Sequence, residues 1–492
     1  MPDSISKQKT VAILGGGPVG LAAAAHVLER GMEPVVLEAG PEAAHAVRHW
    51  GHVRMFSPWE YNIDKAAERL LKEVGWNAPA SSEYPTGGEL VAQYLEPLAT
   101  RTKLKDCIKL NARVTAVGRA GFDKMKSNGR AFEPFTVRYQ NGPGSKNGGP
   151  EQIKADAVID ATGTWYSPNP AGNDGLLAIG EELQSKNIAY GMPDVLGRDR
   201  ARYTGKIVGV LGAGHSAIGT LIDLARLKDE APDTVVVWLL RGAAPEKAFG
   251  GGANDKLAAR GALGQAFASL VGSGKIRVET GFKVGHIGRE DGRLRVATGT
   301  ASCCRAIGVD ELVVATGFRP DFSFLREVRI AVDPAVEAPP ALAPLIDPNL
   351  HSCGTVRPHG ARELSHPEPG FYMAGMKSYG RAPTFLMLTG YEQVRSIVAD
   401  IAGDKEAASR VELVLPQTGV CSGPAPKANV TQAASLVPAG ITATGDFTAA
   451  GDSAAGCCGG PAPVTETGEA AGCCVADVKA KEEGKKGCGC GS

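Results

Sequence analysis

Two well-separated glycine clusters have the spacing of loops that bind a pyrophosphate. The first contains Gly15, Gly17 and Gly20 and follows the apolar residues Val11 to Leu14. The first glycine allows a tight turn, the second lets backbone amides approach the phosphates, and the third packs the helix against its strand. The positive end of the following helix faces the phosphate charge. This pattern predicts a dinucleotide-binding unit.

The second cluster follows the apolar residues Ile207 to Leu211 and consists of Gly212, Gly214, Ser216 and Ala217. One cluster of this kind is weak evidence, because glycines also mark ordinary turns. Two clusters, each between an apolar strand and an Ala-rich helix, predict two Rossmann-like units. An enzyme with two dinucleotides passes electrons from one to the other.

The residue that ends the next strand of each unit indicates which nucleotide is bound. In the first unit this residue is Glu38, whose carboxylate suits a ribose hydroxyl pair and disfavours a 2′-phosphate. In the second unit it is Arg241, whose planar guanidinium suits a phosphate. We therefore expect FAD in the first unit and NADPH in the second.

The tripeptide Ala-Thr-Gly follows the apolar run Ala157 to Asp160 and again follows Glu311 to Val314. Each glycine cluster is thus followed by an Ala-Thr-Gly. This order of motifs resembles that of the two-dinucleotide-binding flavoproteins, the superfamily of flavin-containing monooxygenases and thioredoxin reductases. The resemblance covers roughly residues 8 to 400. It implies an α/β fold in which an NADPH domain is inserted into an FAD domain. It completes the cofactor-binding candidates with Val114, Thr162, Gly163 and Gly375.

The motifs and the composition divide the chain into four segments. Residues 1–190 are the first part of the FAD domain, residues 195–305 the NADPH domain, and residues 306–403 the return to the FAD domain, including Glu311 to Gly317. Residues 404–492 are rich in Gly, Ala, Thr, Pro and Ser, with hardly an aromatic side chain, and do not suit a packed core. We expect them to form a flexible tail.

The tail holds seven of the 11 cysteines, including two adjacent pairs. Neighbouring thiolates chelate one soft ion more readily than they close a disulfide. The candidate metal ligands are Cys457, Cys458, Cys473, Cys474, Cys488 and Cys490. Zinc prefers spaced Cys and His pairs, whereas this tail has no His and no CxxC. Trivalent arsenic or antimony, mercury and cuprous copper suit adjacent thiolates better.

A flavin reduced by NADPH passes its electrons to a disulfide or to oxygen. The NADPH segment has no CxxC, and Pro41 to Trp59 has no cysteine, which favours oxygen. The residues before the second cluster, Ala189 to Leu196, depart from the Phe-x-Gly-x-x-x-His pattern of general flavin monooxygenases. They look more like the flavin monooxygenases of arsenic-resistance systems. In that interpretation, a trivalent arsenical takes an oxygen atom from a flavin hydroperoxide and the tail captures the metalloid.

Two other functions stay open. One is an NADPH-dependent flavoprotein reductase of a metal or a thiol or disulfide substrate, with the tail cysteines exchanging electrons. The other is a metal-sequestering protein, in which the tail binds its ion tightly and NADPH turnover is negligible.

No single residue is assigned as catalytic, and the two candidates are Arg54 and Cys353. Arg54 belongs to a polar cluster that positions a peroxide or contacts cofactor phosphates; its other members are Arg48, His49, Trp50 and His52. Cys353 lies in the polar loop His351 to His359 and either receives a metalloid from the tail or is a buried structural thiol. A charged run after Gly375 is a candidate for the flavin edge: Lys377, Tyr379 and Arg381.

The overall composition argues against nucleic-acid and membrane partners. The chain of 492 residues has 53 basic and 53 acidic side chains, so it lacks the basic excess of a nucleic-acid or anionic-membrane binder. The polar start, Met1 to Thr10, lacks the apolar region of a signal peptide. We expect a cytoplasmic enzyme with reduced thiols, a small-molecule substrate and oxygen as reactants. The oligomeric state is left open.

Overall fold

Alternating strands and helices form most of the chain. The computed structural model describes residues 8–142, 149–249, 258–299, 305–350, 356–383 and 385–413. The described strands, numbered in chain order, are β1 (Thr10–Leu14), β2 (Glu33–Leu37), β3 (Ile108–Lys109), β4 (Ala112–Arg119), β5 (Phe135–Asn141), β6 (Pro150–Ala155), β7 (Ala157–Asp160), β8 (Ile188–Tyr190), β9 (Ile207–Leu211), β10 (Val235–Leu239), β11 (Ile276–Glu279), β12 (Val284–Glu290), β13 (Arg293–Thr298), β14 (Ala306–Val309), β15 (Glu311–Val314) and β16 (Phe371–Met373). The described helices are α1 (Pro18–Glu29), α2 (His45–His49), α3 (Lys65–Glu73), α4 (Gly87–Leu90), α5 (Glu96–Arg101), α6 (Arg200–Tyr203), α7 (His215–Glu230), α8 (Ala258–Gly272), α9 (Ala343–Ile346), α10 (Ala361–Leu364), α11 (Met387–Ala402) and α12 (Lys405–Ser409).

Strand β1, which the first glycine cluster follows, is the central strand of a five-stranded parallel sheet with the order β16-β7-β1-β2-β3. Strands β1 and β7 are almost wholly buried and apolar, as expected when helices cover both faces of a parallel sheet. Helix α1 covers one face with a run of buried alanines, and their small size allows it to pack closely between β1 and α11. The predicted α/β, Rossmann-like fold is confirmed for this unit.

Strand β9, which the second cluster follows, is the central strand of another five-stranded parallel sheet with the order β11-β10-β9-β15-β8. The prediction that Glu311–Val314 returns the chain to the first domain is wrong, because this strand pairs with β9 and β8. All four of its residues are buried. A short apolar strand of this kind suits the centre of either sheet, so its amino-acid composition does not indicate which sheet it joins. The chain leaves the second sheet only after β15.

Each parallel sheet is accompanied by a three-stranded antiparallel sheet. Strands β4, β5 and β6 pack their apolar face against the first sheet, and β12, β13 and β14 pack theirs against the second. The connection from β5 to β6 includes residues 143–148, which lie outside the described ranges. The glycine clusters lie at the carboxyl ends of β1 and β9, the central strands of the two parallel sheets.

Two connecting segments run side by side between the parallel sheets, one after each Ala-Thr-Gly turn. The Asn169 amide donates to the Gly317 carbonyl oxygen at 2.9 Å, and the Thr316 hydroxyl donates to the Asn169 carbonyl oxygen at 3.0 Å. The Trp165 and Phe318 rings stack with their centroids 5.1 Å apart. Each turn is therefore fixed by the other segment.

The last described helices complete the first unit. Helix α11 begins at Met387 and ends at Ala402, and Gly403 caps it with a φ of 90°, a value accessible to glycine. Among the described helices, none combines the length and the apolar character needed to cross a membrane. The predicted tail, apart from residues 404–413, lies outside the described ranges.

Candidate active site

The first glycine cluster has the geometry of a phosphate-binding turn. Gly15 has a φ of +98°, and a Cβ placed on it would lie 2.7 Å from the Ala161 carbonyl oxygen. A Cβ on Gly20 would lie 1.9 Å from the Gly15 carbonyl oxygen, so helix α1 approaches the turn as closely as its backbone allows. A Cβ on Gly17, the residue before α1, would meet nothing within 4 Å. The cluster leaves open space at the helix N-terminus, which suits a pyrophosphate.

The second cluster repeats this geometry. Gly212 has a φ of +138°, and its Cβ would lie 2.3 Å from the Ala315 carbonyl oxygen. Gly214 precedes α7 and, like Gly17, has open space where a side chain would stand. The Ala217 methyl carbon lies 3.4 Å from the Cβ position of Gly212, so alanine is accommodated where the first cluster needs its third glycine. Both clusters therefore fit a dinucleotide, and each relies on an Ala-Thr-Gly turn for its shape.

Glu38 lies at the carboxyl end of β2, beside the first cluster, and is buried. Its two carboxylate oxygens accept from the amides of Gly16 and Gly40, each at 2.7 Å. The Glu38 carbonyl oxygen accepts from the Ala112 amide, which brings β4 and Val114 alongside. This carboxylate is fixed in position before any ribose arrives, as a specificity residue for hydroxyl groups requires.

Arg241 follows β10 and is exposed. Within the described ranges, its guanidinium makes one long contact, donating to the Asn173 carbonyl oxygen at 3.4 Å. A guanidinium held so weakly remains available to an incoming phosphate. The structure thus places Arg241 where a 2′-phosphate recognition residue would stand, and the assignment stays a prediction.

A buried lysine lies behind the first Ala-Thr-Gly turn. Lys377 and Asp160 are both wholly buried, and the lysine Nζ lies 2.6 Å from the Asp160 Oδ2. Lys377 also donates to the Thr162 hydroxyl at 3.1 Å and to the Asp321 carbonyl oxygen at 2.7 Å. Asp160 accepts from the Thr162 amide and hydroxyl. The charge of Lys377 is directed at Asp160, and that of Arg381 at Glu337, 3.0 Å away.

Gly375 is fixed by a second buried network. Its amide donates to the Gln393 Oε1 at 2.8 Å, and its φ is +70°. The Gln393 Nε2 donates to the Nε2 of His359 at 2.8 Å, so this histidine nitrogen is an acceptor and its Nδ1 carries the proton that faces the Arg357 carbonyl oxygen. Burial lowers the pKa of His359, consistent with a neutral ring. Helix α11 thereby holds Gly375 against Val19 of α1.

A cavity of about 650 Å³, the main cavity, lies where elements of the two units meet. One wall is the segment 50–57, the second is helix α7 with Met192 and Pro193, and the third is formed by Pro383, Phe385 and Leu386. Ser216, Gly219, Thr220 and Asp223 line it from one face of α7. The space is large enough for a small substrate beside the end of a cofactor. We take it as the candidate active site.

The main cavity contains several titratable side chains. Burial raises the pKa of Asp223, and the charges of Arg226 and His52 oppose that shift. The Arg226 guanidinium lies 3.4 Å from the Asp223 Oδ1. Arg54 lines the cavity, but its guanidinium contacts the Tyr84 carbonyl oxygen and lies 3.7 Å from the Glu89 Oε2. Arg54 is therefore a rim residue with its charge already paired.

The predicted sulfur ligands lie outside the described ranges. This applies to Cys353 and to the tail residues Cys457, Cys458, Cys473, Cys474, Cys488 and Cys490. Cys107 is the free cysteine of the described ranges; burial raises its pKa, and it does not line the main cavity. Within the same ranges, no group of three His, Cys, Asp or Glu side chains could hold a metal ion.

The contribution of helix α7 to the main cavity was not predicted from the sequence. The predicted site residues of this helix are Ser216 and Ala217. Gly219, Thr220 and Asp223, which were not predicted, line the cavity. Small and polar residues recur along this helix at a spacing of three or four, a signal that marks one face. The sequence does not show that this face lines a cavity, because that depends on the position of the segment 50–57.

Comparison with known proteins supports the same class of enzyme. Residues 12–130 match the sequence family described as pyridine nucleotide-disulphide oxidoreductase. No curated protein matches the chain. The family match and the two phosphate-binding turns together support an oxidoreductase that uses FAD and NADPH.

Solved structures with different activities share this fold. The bacillithiol disulfide reductase Bdr (YpdA) from Bacillus cereus is 21% identical, with a TM-score of 0.59, covering 81% of this chain and 99% of its own. The ornithine hydroxylase PvdA from Pseudomonas aeruginosa is 14% identical, with a TM-score of 0.51 and coverages of 81% and 99%. A mutant flavin monooxygenase from Stenotrophomonas maltophilia is 18% identical, with a TM-score of 0.50 and coverages of 80% and 98%. The fold alone does not distinguish disulfide reduction from oxygenation.

Proposed function

We propose that the protein is an FAD- and NADPH-dependent monooxygenase of a small, soft nucleophile, and that this nucleophile is a trivalent arsenical. The observation that carries the first part is the main cavity, which joins the flavin-side segment 50–57 to the nucleotide-side helix α7. Its described lining contains no thiol, so a disulfide-exchange route lacks its protein partner there. The arsenical is supported by the sequence alone, through the adjacent cysteines of the tail.

Bound FAD would supply a site where NADPH electrons reduce oxygen. The side chains of this chain would bind and orient the reactants. Gly15, Gly17 and the start of α1 would hold one pyrophosphate, and Gly212, Gly214 and the start of α7 the other. Trp50, Phe56 and Phe385 would exclude water from the main cavity, since they line it with aromatic surface.

Asp223 is the residue of the main cavity best suited to exchange a proton. Burial raises the pKa of Asp223 toward neutral pH, and the charges of Arg226 and His52 limit that shift. A trivalent arsenical gains an oxygen atom and releases its electron pair into the new bond, while the second oxygen atom leaves as water. A carboxyl group beside the reaction would provide a proton for that water.

Filling the cavity tests this proposal. Gly219 lies within α7 and lines the cavity, and a Cβ on it would meet nothing within 4 Å. Replacing an interior helical glycine stabilises a helix, so Gly219→Ala and Gly219→Leu should both fold. We expect Gly219→Leu to lose most of the NADPH oxidation that methylarsenite stimulates, whereas Gly219→Ala keeps most of it. Equal stimulation in Gly219→Leu and the wild type would move the substrate elsewhere.

A second candidate is a disulfide reductase, the activity named for one of the proteins with this fold, the bacillithiol disulfide reductase. In that case NADPH would be consumed without oxygen when a low-molecular-weight disulfide is added, and one disulfide would be reduced per NADPH. Turnover under nitrogen with such a disulfide, and none with methylarsenite in air, would replace the first proposal by the second.

A further inference from the structure

A second cavity, the β8 cavity, has a volume of about 320 Å³ and lies at the edge of the second sheet. It is lined by the end of β8, by residues 198–203, and by the stacked rings of Trp165 and Phe318. It shares Met192 and Pro193 with the main cavity, so these two residues stand between the cavities. Of the polar cluster that the sequence singled out around Arg54, His49 lines it.

The β8 cavity contains a buried hydroxyl group that nothing satisfies. Tyr203 is wholly buried, and within the described part of the chain its Oη has no hydrogen-bond partner. Burial raises the pKa of Tyr203 to about 12, so the hydroxyl keeps its proton at neutral pH and is a donor. An unsatisfied buried hydroxyl costs free energy unless a ligand or water occupies its neighbourhood.

Two arginines of the same wall add positive charge. The Arg202 Nε donates to the Glu311 Oε2 at 2.7 Å, and Arg198 contacts the Asp199 carboxylate through Nε and Nη2 at 3.3 Å. These contacts leave the Nη1 group of each arginine without a hydrogen-bond partner among the described residues. Asp199 lines the cavity, whereas Glu311 does not. Each guanidinium is thus ion-paired with one carboxylate, and its remaining N–H groups are donors for a ligand.

His49 supplies a further donor. The Trp165 Nε1 donates to the His49 Nδ1 at 3.2 Å, so the Nδ1 is an acceptor and the proton of the neutral ring is on Nε2. Burial lowers the pKa of His49, with the charges of His45 and Arg198 adding to the effect. The lining thus offers a phenol, an imidazole and two guanidinium groups as donors, with Asp199 as the single carboxylate.

We propose that the β8 cavity binds a small oxyanion, a phosphate or carboxylate group, through the Tyr203 hydroxyl and the Arg198 and Arg202 guanidinium groups. Such a group has acceptor oxygens, which match the phenol, imidazole and guanidinium donors of the lining. The volume admits a ligand larger than the anion alone, with Trp165 and Phe318 as the apolar surface. The same oxyanion chemistry comes from a free metabolite or from a phosphate of the nicotinamide nucleotide, and the second source would replace the assignment of that phosphate to Gly212 and Gly214 or to Arg241.

Calorimetric titration of the FAD-loaded, full-length protein with inorganic phosphate, at constant ionic strength, tests the site. Tyr203→Phe removes only the unsatisfied hydroxyl and should fold at least as well as the wild type. We expect phosphate affinity to fall about tenfold in Tyr203→Phe and at least tenfold in Arg198→Met, because each loses a hydrogen bond to a charged group. Tyr190→Phe is the matched control, since Tyr190 lines the same cavity but its hydroxyl already donates to the Glu181 Oε1 at 2.6 Å. Its affinity should stay within about twofold of the wild type.

The source of the oxyanion is distinguished by repeating the titration with saturating NADP⁺. Unchanged phosphate binding that still depends on Tyr203 supports a free anion. Loss of phosphate binding, with NADP⁺ itself bound more weakly by Tyr203→Phe, supports a nucleotide phosphate. No phosphate binding by the wild type at millimolar concentration, or equal binding by the wild type and Tyr203→Phe, overturns the proposal. These outcomes do not depend on whether the substrate is an arsenical.

Discussion

The ion pair between Lys377 and Asp160 should be the strongest polar determinant of the first unit. Both side chains are wholly buried and their charged atoms are 2.6 Å apart. Lys377→Met would leave a buried carboxylate without its partner and remove the donors to Thr162 and Asp321. Breaking a buried pair by removing one partner costs about 3–5 kcal/mol. We therefore expect Lys377→Met to lose stability on that scale and to retain less FAD, because Thr162 adjoins Gly15.

The double variant Asp160→Asn/Lys377→Met isolates the electrostatic part. It removes both charges and keeps a polar group beside Thr162, so it should recover about 2 kcal/mol relative to Lys377→Met. Lys103→Met is a matched control, because its partner Glu73 lies 2.9 Å away at the surface. An exposed pair of this kind contributes less than about 1 kcal/mol.

Urea-induced unfolding of the FAD-loaded protein, followed by circular dichroism and flavin fluorescence, measures these differences. The reasoning is refuted if Lys377→Met costs less than about 1 kcal/mol, the scale of a surface pair. It is also refuted if the double variant is no more stable than Lys377→Met, since the charge left on Asp160 would then have no cost.

Three further predictions concern the nucleotide sites and pH. Gly17→Val should fold but lose its yellow colour, because the space beside Gly17 is open until a pyrophosphate occupies it. Gly20→Ala should instead lower the melting temperature, since its Cβ would lie 1.9 Å from the Gly15 carbonyl oxygen. Flavin absorbance per protein and thermal melts distinguish the two variants, and full FAD content in Gly17→Val would contradict the FAD assignment. Arg241→Ala should raise the KM for NADPH far more than that for NADH, and equal changes would remove the phosphate role. Burial lowers the pKa of His366 to about 4, so below its ordinary value near 6.5 the unfolded chain takes up a proton that the folded chain does not. Between pH 7 and pH 5 the wild type should therefore lose about 2 kcal/mol more stability than His366→Gln, as measured by urea titration, and identical losses would show that this histidine is not the cause.

The sequence predicted the parts of the site that lie within single turns. The two glycine clusters, their helices and the acid or base at the following strand all depend on local spacing, and the structure gives the turns the expected backbone geometry. The α/β fold follows for the same reason, because apolar strands alternate with helices.

The parts that depend on distant contacts could not be predicted. Strand β15 is short, apolar and buried, so its sequence suits either sheet, and only its pairing with β9 reveals the right one. From the sequence, Lys377 is a candidate for the flavin edge and Asp160 ends an apolar run. Their ion pair follows only from the sheet order, which brings β16 beside β7. The main cavity likewise needs the segment 50–57 to lie against α7, where the rings of Phe56 and His215 have centroids 5.2 Å apart.

The measurement that tests the proposed monooxygenase most directly is the stoichiometry of NADPH oxidation and oxygen consumption by the purified, FAD-loaded protein, with and without methylarsenite. We predict that methylarsenite stimulates both in a ratio of one to one, that pentavalent product accumulates in the same amount, and that the stimulation disappears under nitrogen. Stimulated NADPH oxidation that persists without oxygen would contradict the account and place the protein among the reductases. No stimulation, with methylarsenite bound stoichiometrically, would instead favour sequestration by the tail cysteines.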